Sequence, residues 1–149
     1  MSPKRTNPTD HIPLNTARYR LARIWLIGSG LTLLILVGQS ALGKYDTHLQ
    51  EVWSWFLPSV LPTVSLIVSV IGATALTAGH PRRVRKDFYG IARWLSIAYL
   101  LLLASTVLVE PFSPMQAVQL LTVSNYWLGP FQGLVVGAVG FLFVSTEIA

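Results

Sequence analysis

The chain has 149 residues, of which 52% are hydrophobic and 11% charged, with a mean hydropathy of +0.56; a soluble domain carries about a quarter charged residues. That composition excludes a large soluble domain and leaves one membrane domain. The net charge of +5 lies in patches, and the absence of cysteine excludes disulfides, thiolate metal sites and cysteine nucleophiles.

Residues 1–20, MSPKRTNPTDHIPLNTARYR, carry Pro3, Pro8 and Pro13 among polar residues without a helical apolar period, which predicts a flexible cytoplasmic arm ahead of a membrane domain over 21–149. Basic residues before an apolar run also fit a signal peptide. The run 24–42 is longer than a typical h-region, however, and further spans follow it. Lys4, Arg5, Arg18, Arg20 and Arg23 then read as a topology signal in contact with anionic head groups rather than as a nucleic-acid surface.

The first span, 24–42, has Trp25 at its inner edge as an expected interfacial anchor, and Gly28, Ser29, Gly30 and Thr32 as small packing residues. Gln39, near the outer end, can bond to another helix through its amide. A connection with Lys44, Asp46, His48 and Glu51 leads to Trp53 and Trp55 at the opposite boundary. The second span, 56–78, opens with Pro58 and Pro62, tolerated where backbone N–H groups lack partners. Ser65, Ser69, Ala73 and Thr77 recur every fourth residue, and this stripe predicts a close helix seam, with a narrow wet path as the sharper alternative.

The loop HPRRVRKDFYGIAR sets Arg82, Arg83, Arg85, Lys86 and Arg93 against the single acid Asp87, so it stays in water or at head groups. It reads as a positive-inside loop, equally suited to docking a cytosolic partner or an anionic lipid. The third span covers 91–109, with Trp94 at its inner edge. In EPFSPMQAVQLLTVSNYW, Ser113 before Pro114 resembles a helix start, and Met115, Val118 and Leu121 fall on one face. A short amphipathic helix at the outer interface is expected there, between the third and fourth spans. The fourth span, 128–145, carries Gly129, Gly133, Gly137 and Gly140 at intervals of four, four and three. Lipid enforces the helix and turns these glycines into close-contact points for another helix.

The fold class is therefore an all-α membrane protein with four transmembrane helices. Ten of the eleven Lys and Arg residues fall in the arm and the loop after the second span, against Lys44 alone on the other side. Both termini are thus expected in the cytoplasm. His11, His48 and His80 show no metal-ligand spacing, and no acid or base lies mid-span. Neither a nucleotide motif nor a nucleophile–base pair is present. No enzyme activity, metal or cofactor is expected.

The stretch SNYWLGPFQGLVVGAVGFLFV, residues 124–144, resembles the C-terminal segment of small bacterial four-span membrane proteins, some of them from antiviral defence operons. It covers about one-seventh of the chain and carries over no functional residue. The resemblance implies a bacterial inner-membrane effector, triggered by a cytosolic sensor or protease, that disrupts the membrane or leaks ions. Two readings follow. In one, copies assemble through the glycine face into a pore lined by Gln39, Asn125, Gln132 and the hydroxyls of Ser65 and Ser69. In the other, the chain is a non-conducting anchor that recruits a soluble partner through Arg82, Arg83, Arg85 and Lys86.

Overall fold

The computed structural model describes residues 11–76 and 83–144. The elements are β1 (His11–Pro13), α1 (Leu14–Ala41), α2 (Leu49–Leu76), β2 (Arg83–Arg85), α3 (Lys86–Val109) and α4 (Ala117–Val144). Short 3-10 turns at Asp46–His48 and Glu110–Phe112 lie in the connections. Residues 1–10 of the expected arm, with Arg82 and Thr77, lie outside the described residues.

All four helices are long and apolar enough to cross a membrane. In hydrocarbon each backbone N–H and C=O must find its partner within the segment, so an apolar run of this length becomes helix. A 28-residue helix such as α1 is about 42 Å long at 1.5 Å per residue. That exceeds a hydrocarbon core of about 30 Å, so the helices continue into the head-group region.

The extra length explains two departures from the sequence expectation. The first is at α1, which starts at Leu14 because Leu14, Ala17, Leu21 and Trp25 recur at helical spacing and are buried. Arg18, Arg20 and Arg23 interrupt that stripe in the sequence and conceal it. The second is the expected amphipathic helix between the third and fourth spans, which is absent: α4 begins at Ala117 and runs unbroken to Val144. Ser113 is extended, and its hydroxyl accepts the Met115 N–H at 3.1 Å, forming a local turn rather than an N-cap. Gly129–Pro130 suggested a boundary, yet a proline inside a lipid-enforced helix costs only one ladder bond locally. One buried stripe, Leu121, Ser124, Leu128, Val135, Val139 and Leu142, passes straight through it.

The helices run alternately up and down, each packing on two neighbours around a ring ordered α1, α2, α4, α3. α1 and α3 are consequently parallel neighbours. A two-stranded antiparallel clasp joins their starts, pairing His11 with Arg85, Ile12 with Val84 and Pro13 with Arg83. Each strand leads directly into its helix, so the clasp sets the register of α1 against α3.

Candidate functional site

Three interhelical hydrogen bonds lie around the proline-bearing half of α2. In a regular helix the Pro58 carbonyl would accept the N–H of residue 62, but Pro62 has none. The side chain of Gln132 on α4 supplies the missing donor, its Nε2 lying 2.8 Å from that carbonyl. Two further bonds tie neighbouring turns. Trp55 Nε1 donates to Ser124 Oγ at 3.0 Å, and the Tyr99 hydroxyl donates across the ring to the Ser59 carbonyl at 2.9 Å. Such interhelical bonds contribute on average roughly 0.6 kcal/mol, and up to about 2, in a membrane.

At the same level the interior is filled by aromatic rings. Trp25 stacks on Tyr99 with centroids 5.8 Å apart, and Tyr99 meets Phe131 edge-on at 6.0 Å. Trp25 and Tyr99 are fully buried. Trp25 is therefore a core residue and not the interfacial anchor expected from its position, whereas Trp94 is 69% exposed. The Trp25 indole N–H and the Thr63 hydroxyl are buried without a hydrogen-bond partner among the described residues. Leaving each of them dry costs about 1 to 3 kcal/mol.

Each end of the bundle is fastened by charge. Away from the clasp, Lys44 forms an ion pair with Glu110, linking the α1–α2 connection to the end of α3. The adjacent Tyr45 donates its hydroxyl to Gln39 Oε1 at 2.6 Å. Burial and then the Glu110 charge push the Tyr45 hydroxyl up to about 12. At the clasp end, buried Arg18 donates to the last turn of α4: Nε to the Leu142 carbonyl at 3.2 Å and Nη2 to the Phe143 carbonyl at 2.7 Å. A cation set against carbonyls near the C-terminal end of a helix is favoured by the helix dipole.

The expected pore-lining amides are not assembled into one lining. Gln39 is held by Tyr45 and Gln132 by the proline gap, while Asn125 is exposed beside a cavity of about 210 Å³ shared with Glu51, Ser54 and Thr122. Among the described residues the small-residue stripes face outward from the bundle. Ser65, Ser69 and Ala73 are exposed on α2, as are Gly129, Gly133 and Gly137 on α4. Among the described residues, a Cβ added at any of those three glycines would meet nothing within 4 Å, and one at Gly140 would make ordinary contact with Leu66 at 3.8 Å. The close approach is made by Gly28 on α1, where a Cβ would lie 2.8 Å from Leu100 Cδ1.

The basic residues named for partner or lipid contact are at the clasp. Arg83 and Arg85 stand on β2, Lys86 opens α3, and all three are exposed. Arg85 is bonded to Asp87 at 3.0 Å. Sequence reasoning missed the Arg18 cap, the Tyr99 bridge and the Gln132 bond. For the last a signal existed: a proline at position 62 inside a helix leaves the carbonyl of residue 58 without its donor. Among the described residues no group of acids and histidines could hold a metal ion. Comparison with protein-family models, with curated proteins and with solved structures gives no match.

Proposed function

We propose that this chain is a non-conducting, multi-pass membrane scaffold whose clasp end faces the cytoplasm and presents Arg83, Arg85 and Lys86 to an acidic surface of a soluble partner. The observation that carries this reading is the filled interior: Trp25, Tyr99 and Phe131 occupy the middle of the bundle, and Gln39 and Gln132 are bonded within the protomer. A conducting path needs polar groups along its whole depth, or a hydrophobic constriction wide enough to wet. Charge supports the orientation, since Arg18, Arg20, Arg23, Arg83, Arg85, Lys86 and Arg93 cluster towards the clasp. Lys44, at the other end, is neutralised by Glu110.

A second reading has a specific observation in its favour. The open glycines of α4 and the exposed hydroxyls of Ser65 and Ser69 suit contact with further copies, and a pore between copies would leave each protomer's core intact. That is the form in which the antiviral-effector resemblance would hold, with a cytosolic sensor or protease as trigger in a bacterial inner membrane. Purified protein in liposomes loaded with potassium separates the two. A scaffold holds the gradient as long as empty vesicles do, whereas a leak that rises with more than the first power of protein density establishes the pore between copies.

A further inference from the structure

We propose that the groove between the clasp ends of α1 and α3 is a binding site for the phosphate of an anionic phospholipid. The groove has a volume of about 320 Å³ and is lined by Arg20, Arg23, Ile24, Tyr89 and Arg93. Arg20 and Arg23 are three apart on α1, and Tyr89 and Arg93 four apart on α3, so each pair shares one helix face. The two helices are parallel and are held in register by the β1–β2 clasp. Both faces therefore meet at one depth.

Among the described residues three arginines line the groove, and no carboxylate does. Among the described residues none of the three has a hydrogen-bond or ion-pair partner; Asp87, the acid on this end of α3, is bonded to Arg85. Guanidinium stays charged at every relevant pH, and its planar fork matches the oxygens of a phosphate. Three such groups facing one cleft repel one another until an anion enters. The Tyr89 hydroxyl adds a neutral donor.

The surroundings select a lipid over a free anion. Arg20, Ile24, Ile27 and Leu31 follow one stripe of α1 at spacings of four, three and four, and Ile27 and Leu31 are each 56% exposed. A head group at the arginines thus continues into an apolar track suited to an acyl chain. Deeper in the membrane, Gly28 lies against Leu100 and brings α1 and α3 together, closing the groove beneath the head group. Exposed Trp94, next to Arg93, suits the interfacial level. Basic pockets between helices at this level are the expected sites for anionic head groups. The inference needs only that the chain lies in a bilayer, so it stands whether or not the scaffold reading does.

The test uses the full chain in neutral detergent, titrated separately with phosphatidylglycerol, phosphatidylcholine and inorganic phosphate, with bound molecules counted by native mass spectrometry. Phosphatidylglycerol should be retained at least about tenfold more tightly than phosphatidylcholine, and inorganic phosphate should not displace it. At about 1 kcal/mol per basic residue, Arg23→Gln and Arg93→Gln should each weaken retention about fivefold. Lys44→Gln removes the same charge at the other end of the bundle and should change it less than about twofold. If Arg93→Gln fails to fold, Arg20→Gln carries the same expectation. Equal loss from Lys44→Gln, equal retention of the two lipids, or binding of inorganic phosphate without a lipid preference would overturn the proposal.

Discussion

Two glycine-bearing helices of this bundle use the same residue in opposite ways. On α1, Gly28 is the point where α3 comes closest, and a single added carbon would lie 2.8 Å from Leu100. On α4, Gly129, Gly133 and Gly137 form the most regular pattern in the sequence, yet each faces open space. A close approach depends on what stands opposite, not on the repeat. Leu100 stands opposite Gly28, whereas among the described residues no side chain comes within 4 Å of a Cβ placed at any of the three glycines of α4.

Gly28→Leu should break the difference most strongly. Overpacking a tight contact costs typically about 1 to 3 kcal/mol, so the variant should lose thermal stability in detergent by several degrees or fail to fold. Gly133→Leu enlarges a side chain by the same amount on the open face. It should leave the stability of the chain within about 0.5 kcal/mol of the wild type; if copies pack through this face, it should also reduce the particle size in size-exclusion chromatography with light scattering. Equal destabilisation by both substitutions would show that α4's glycine face is covered within the protomer.

Gln132→Leu sharpens the comparison on the inner side of α4. Loss of its bond leaves the Pro58 carbonyl without a donor, at a cost of about 1 kcal/mol and up to about 2. Gln132→Asn, too short to span the same gap, should lose most of that amount, which a purely apolar packing role would not require. Thermal midpoints of the three proteins in one detergent check the order.

The smallest effect belongs to the end cap. Tyr45→Phe removes the bond to Gln39 and should cost roughly 0.5 to 1.5 kcal/mol at neutral pH. Because the folded-state pKa of Tyr45 is raised from 10.0 to about 12, the neutral hydroxyl is the form that the fold favours. Its contribution is complete below pH about 10 and fades as the pH rises towards about 12. The stability gap between wild type and Tyr45→Phe should narrow across that window. A gap that widened instead would contradict the assignment of burial and Glu110 as the causes.

The four spans were legible because runs of apolar residues this long have one outcome in lipid. Their ends were less so. Leu14, Ala17 and Leu21 continue the buried stripe of α1, but arginines stand between them, and a window that averages hydropathy stops at the first charge. The clasp was invisible for a different reason: His11–Pro13 and Arg83–Arg85 pair over a long separation, and three residues carry no readable period. At the candidate site, residue types were read correctly while their partners were not. Gln132 was seen as a polar exception, but only the position of Pro58 on a neighbouring helix explains it. Trp25 resembled an anchor by its place in the chain and proved to be the ring on which Tyr99 stacks.

A non-conducting scaffold requires the middle of the bundle to be filled and dry. Since the chain has no cysteine, single cysteines at Val135 and Val139, both fully buried on α4, report on water there, with His48→Cys on the connection between α1 and α2 as the exposed control. Treated in liposomes with a small water-soluble methanethiosulfonate, position 48 should react rapidly, and positions 135 and 139 should remain unmodified. Modification at 135 or 139 at a rate comparable to that at 48 would place water inside the protomer and contradict the account.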